Sequence, residues 1–114
     1  MNFESILDGA AQAPILRAWD GSDAMVALYD SSHRRISLKL AKPHQVLFIV
    51  AIGCRNIRGP FTWSNSRLSI DRIDEEMTVV WDRPAGFELV CSLATIARGD
   101  RQQIWRSLTS HLAD

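Results

Sequence analysis

"HQVLFIVAIG", His44 to Gly53, decides the fold class, because every residue from Val46 to Ile52 is apolar. Side chains alternate between the two faces of a strand, so an apolar residue at every position means that both faces are covered. The run is much shorter than a membrane span and ends on a glycine. It is read as the central strand of a sheet, covered by a helix on the back or enclosed in a sandwich.

The flanking sequence continues the strand pattern. In "HRRISLKL", Ile36, Leu38 and Leu40 alternate with Arg35, Ser37 and Lys39, giving one dry and one wet face. "ILRAWD", "DAMVALYD", "SRLSIDRI", "MTVVWD" and "FELVCSLATIA" complete a set of seven candidate strands. In the last of them Phe87, Leu89, Cys91 and Leu93 share one face, which makes Cys91 a core residue. The separators "DGS", "DSS", "KP", "RGP", "DEE" and "DRPAG" are short and polar, as hairpin connections require.

Helical spacing appears at the two ends. Phe3, Ile6, Leu7 and Ala10 predict a short N-terminal helix closed by Pro14. Asp100 as N-cap and Gln103 as its capping-box partner precede Ile104, Leu108 and Leu112, with Trp105 beside them, which predicts a helix from about Arg101 to Leu112. The expected architecture is one α+β domain over residues 1–114. It has a mainly antiparallel, strongly curved sheet of six or seven strands with both helices packed on it, or, alternatively, a flattened barrel or small sandwich.

Composition narrows the function. The 13 basic residues balance 13 acidic ones, so the chain lacks the net positive field that phosphate-backbone binding exploits, and nucleic acid is not an expected partner. No signal-peptide pattern or membrane-length run is present, so the expected location is cytoplasmic, with no membrane partner. Cys54 and Cys91 lack CxxC spacing and are expected to be reduced thiols, not a zinc or disulfide pair. No metal or cofactor motif is found. Asp71, Asp74, Glu75 and Glu76 lack the glycine and terminal glutamate of a calcium loop and are read as a solvated hairpin tip.

"IGCRNIRGPFTWSNSRLSI", Ile52 to Ile70, is the segment with recognition chemistry. Gly59-Pro60 enforces a turn, and Arg55, Arg58 and Arg67 surround Phe61 and Trp63. Trp and Arg dominate binding energy at many interfaces, which makes these five residues the candidate partner-binding surface. The competing reading has Ile57, Phe61 and Trp63 capping the core while the arginines face water. A thiolate at Cys54, beside Arg55, is a conceivable nucleophile, but His33, His44 and His111 have no spacing that ties a base to it. Arg34, Arg35, Lys39 and Lys42 in "SSHRRISLKLAK" are read as charges that blunt an edge strand, in preference to a surface for an acidic partner.

Two functions are therefore expected in order. The first is a non-enzymatic protein–protein interaction or accessory domain, self-association included. The alternative is a binder of an anionic or apolar small molecule, with a pocket inside the curved sheet lined by Met25, Phe48, Val50, Met77, Trp81 and Phe87.

Overall fold

The computed structural model describes residues 4–30 and 34–98. The helix expected at 101–112 lies outside them, as do His33 and His111. The described residues form a mixed α+β structure with one helix and two antiparallel sheets. The strands are β1 (Glu4–Ile6), β2 (Asp23–Asp30), β3 (Arg35–Lys42), β4 (Gln45–Ile52), β5 (Asn56–Arg58), β6 (Thr62–Trp63), β7 (Ser69–Arg72), β8 (Thr78–Asp82), β9 (Phe87–Cys91) and β10 (Leu93–Arg98), with α1 at Gly9–Ala18. One sheet has the order β1-β10-β4-β3-β2-β6 and the other β5-β9-β8-β7.

β4 occupies the centre of the larger sheet, between β10 and β3, as its unbroken apolar run requires. Leu47, Ile49 and Ala51 face the main core with Ile36, Leu38 and Leu40 of β3. Val80, Phe87, Leu89 and Cys91 of the second sheet enter the same core. Phe48 and Val50 point the other way, into a separate buried cluster with Ala97. Both faces of the strand are thus buried.

Three expectations need correction. The sheet is neither strongly curved nor closed; two open sheets share one core instead. The device that makes this possible is a corner in "FELVCSLATIA", where β9 pairs with β8 up to Cys91 and β10 pairs with β4 from Leu93. Ser92 joins the two sheets, its N–H donating to the Ile52 carbonyl at 3.0 Å. A single run of alternating residues reads as one strand, but the core-facing set changes phase at Ser92, from Phe87, Leu89 and Cys91 to Ala94 and Ile96, so Leu93, contrary to expectation, does not share the face of Cys91.

The second correction concerns the N-terminus. Ile6 belongs to β1, and "ILRAWD" begins inside the helix, so Pro14 sits within α1 instead of closing it. Asp8 caps the helix by accepting the Ala10 N–H at 3.1 Å, and Ala10, Ala11, Gln12 and Ala13 favour its first turns. Pro14 and Ala10 are both exposed, so the carbonyl that Pro14 leaves without an N–H donor can turn to water. The inward stripe is Gln12 and Leu16, both buried, with half-buried Ile15 and Trp19, and the Gln12 amide donates to the carbonyls of Ile6 and Ala94.

The third correction is that β3 is an interior strand, so Arg35, Lys39 and Lys42 do not blunt an edge. Lys42 reaches the end of α1, where its ammonium donates to the Ala18 carbonyl at 2.6 Å and lies 4.7 Å from the centre of the Trp19 ring. A cation at that position satisfies an orphan carbonyl and complements the helix dipole.

Candidate functional site

The 52–70 segment contains two short strands that its sequence does not announce. β5 adds to the edge of the second sheet beside β9, and β6 adds to the edge of the first beside β2. The turn between them therefore bridges the two sheets. Gly59 makes the bridge compact, with a φ of +113° and a Cβ position only 2.5 Å from the Gly86 carbonyl oxygen. No side chain fits there.

The far end of the turn is held by Asp82, which is only 1% exposed. Its Oδ2 accepts the Trp63 Nε1–H at 2.8 Å and the Arg67 N–H at 2.9 Å, and its Oδ1 accepts the Ala85 N–H at 3.3 Å. The Trp63 ring stacks on Phe87, with centroids 4.7 Å apart. Trp63 is consequently half-buried and packed against the core, as is Ile57. Phe61, between the two anchors, is 63% exposed.

The arginines are all on the surface. Arg55 donates to the Glu76 carbonyl at 3.2 Å, and Arg58 pairs with Glu88 at 3.0 Å. Arg67 presents its side chain to solvent while its backbone is held by Asp82. The structure thus brings the five candidate residues to one connected segment and divides their roles: Trp63 anchors, and Phe61 and the arginines project.

Register places Arg58, Glu88, Trp81 and Ser69 in one row across the outer face of the second sheet. The Arg83 guanidinium lies 3.7 Å from the centre of the Trp81 ring, and the indole N–H donates to Asp71 at 2.6 Å. Open grooves flank this stack. One, of about 310 Å³, is lined by Arg17, Arg67, Ser69, Trp81, Arg83 and Pro84; the other, of about 410 Å³, runs beside Arg58, Gly59 and Gly86. Sequence reading missed Arg17 and Arg83 because they lie far from the 55–67 segment in the chain and reach it only through the fold.

The six residues of the alternative pocket do not converge. Met25 shares a register row with Lys39 and Phe48, on the face of the first sheet that also carries Val50. Phe87 belongs to the main core, Trp81 faces outward, and Met77 closes the β7–β8 hairpin by accepting the N–H groups of Ile73 and Asp74. At that hairpin's tip Asp74 accepts the Glu76 N–H at 2.8 Å, a local turn contact.

Cys54 and Cys91 are free thiols, and burial pushes their pKa values up from 9.0 to about 11 and about 12, with a smaller contribution to Cys91 from the neighbouring Cys54. His44 sits at the opposite end of β4 from Cys54, roughly 25 Å away at the rise of a strand. At pH 8 a two-unit upward shift leaves roughly 100-fold less thiolate, so alkylation of Cys54 by iodoacetamide should be slow until the chain unfolds. Stability has the corresponding sign. The contribution of each raised thiol is complete below about pH 9 and is lost as pH rises toward 11 or 12, where the folded thiols also ionise. Urea titrations between pH 8 and 11 should show that decline, and a Cys54→Ser, Cys91→Ala variant should flatten it.

No family model matches this chain, and no similar protein of known function or similar solved structure is found. Among the described residues, no helix is long and apolar enough to cross a membrane.

Proposed function

We propose that this chain is a non-enzymatic interaction or accessory domain of the cytoplasm that binds a protein partner through the 55–67 segment. The observation that carries this reading is Phe61, a large apolar side chain left 63% exposed on a turn pinned at both ends. Exposing an aromatic side chain on an ordered turn costs little further conformational entropy on binding, which is how rigid anchors gain affinity. Arg55, Arg58 and Arg67 set the chemistry of the partner: an apolar pocket for Phe61 with carboxylates at its rim. The protonated state of Cys54 and its distance from His44 support a binding role over a catalytic one. Two free cysteines agree with a reducing compartment.

Site-specific photo-crosslinking tests the proposal. A photoreactive phenylalanine analogue at position 61 should give one discrete adduct in cells, and the adduct should disappear when Arg55, Arg58 and Arg67 are replaced by glutamate. The same analogue at Leu7 or Ile73, which are comparably exposed, should give none. An adduct at the mass of two chains identifies the partner as a second copy. Absence of an adduct at position 61, or one indifferent to the three charge reversals, overturns the reading.

A further inference from the structure

The groove between α1 and the outer face of the second sheet shares Arg67 with the Phe61 surface and adds two arginines, Arg17 and Arg83, that this surface does not use. We propose that it is a binding site for a phosphate monoester group, held by Arg17, Arg67 and Arg83. These three residues line the groove from three separate places in the fold: the last turn of α1, the chain entering β7 and the β8–β9 turn. The whole chain has no net charge, so their convergence is local.

Two of the three are already oriented. Arg83 is stacked on Trp81, and Trp81 is fixed by its hydrogen bond to Asp71. Stacking satisfies the guanidinium faces and leaves the planar N–H edge for an oxyanion. Arg17 is tied through Nη2 to the Leu68 carbonyl at 2.9 Å and to Ser69 Oγ at 3.5 Å, with Nε 3.4 Å from Asp20. Its Nη1 has no acceptor among the described residues and is available to a ligand.

Charge decides the ligand class. Of the two nearby carboxylates, Asp20 is paired with Arg17, whereas Asp71 accepts from the neutral Trp81 indole and keeps its charge. Arg67 and Arg83 make no ion pair among the described residues. Three guanidinium groups and two carboxylates leave a local charge of +1, which draws an anion, and the dianion of a phosphate monoester gains most from Arg67 and Arg83, which have no carboxylate partner of their own. A planar carboxylate is satisfied by one arginine fork, whereas donors arriving from three elements suit a tetrahedral oxyanion. The groove, at about 310 Å³, has room beside Pro84 for part of the group that carries the phosphate.

The test is calorimetric titration of the full chain with phenyl phosphate and with a short peptide containing phosphotyrosine, at low salt. Saturable binding is expected with a Kd below about 1 mM, and Arg67→Gln or Arg83→Gln should weaken it at least tenfold. Arg72→Gln, outside the groove, should leave it unchanged. A peptide that binds tenfold more tightly than phenyl phosphate identifies the source as a modified side chain; equal affinity identifies a small phosphate ester. In wild-type NMR spectra, phenyl phosphate should shift the Trp81 and Arg83 side-chain N–H signals ahead of that of Trp63, a result that does not depend on any variant folding. No saturable binding, or shifts that avoid Trp81 and Arg83, overturns the proposal. Arg67 also belongs to the 55–67 surface, and Phe61→Ala separates the two sites: it should abolish partner binding and leave phosphate binding intact.

Discussion

Replacing Asp82 with alanine is expected to lower the unfolding free energy by about 3 kcal/mol, read as a shift of the urea midpoint. The carboxylate is buried and accepts three N–H groups, from Trp63, Arg67 and Ala85. Hydrogen bonds to a charged acceptor contribute about 1.5–3 kcal/mol each, and donors left unsatisfied in a buried place add their own cost. The carboxylate's loss of hydration on burial offsets part of that sum, which is why the expected net is near 3 and not the full total. Asp82→Asn retains a single carbonyl oxygen and the volume, so its loss should be smaller, about 1.5 kcal/mol. Because the alanine variant leaves the Trp63 indole without its acceptor, its stacking on Phe87 should loosen, and Trp fluorescence in the native baseline should shift to the red. A loss below about 1 kcal/mol would show that the turn is held by other contacts.

Asp82 also shows where the sequence is legible and where it is not. β4 was readable because seven adjacent apolar residues leave a strand no wet face, and the hairpins around it were readable because polar separators stand between alternating runs. Asp82 itself looks like the last residue before a turn, "WDRPAG", and its donor Trp63 lies 19 positions earlier and pairs with β2. Likewise, the change of sheet at Ser92 is marked in "FELVCSLATIA" only by a shift of phase, with polar Thr95 falling in the set of Phe87, Leu89 and Cys91, a signal of one residue. Periodicity reports which face of a strand is dry but not which strand it meets, so the second sheet had to come from the structure. At the candidate site the same limit applies. Phe61 and the arginines of the 55–67 segment were visible as a cluster, whereas Arg17 and Arg83 become their neighbours only after α1 and the β8–β9 turn are placed.

Fold and site are joined at one short bridge. β5 and β6 lie in different sheets only three residues apart, so the turn between them must close tightly while leaving Phe61 outside. Stability and recognition therefore depend on the same backbone, and a change there should alter both.

Gly59→Ala isolates that dependence. The glycine has a φ of +113°, which L side chains rarely adopt, and a methyl group would stand 2.5 Å from the Gly86 carbonyl oxygen and 2.7 Å from the Phe87 Cα. Both obstacles are backbone atoms and cannot rotate aside. The unfavourable φ costs about 1–3 kcal/mol and the forced displacement a similar amount, so a total loss near 3 kcal/mol is expected. Gly86→Ala is the control: its φ of +72° is also positive, but a methyl group there meets nothing within 4 Å. It should lose only about 1–2 kcal/mol, the cost of the backbone conformation alone. If the two variants lose the same amount, the β5–β6 turn is not pressed against the β8–β9 turn. If Gly59→Ala is the more damaging and the remaining folded protein gives no adduct at position 61, the close approach of Gly59 to Gly86 is what presents Phe61 to its partner.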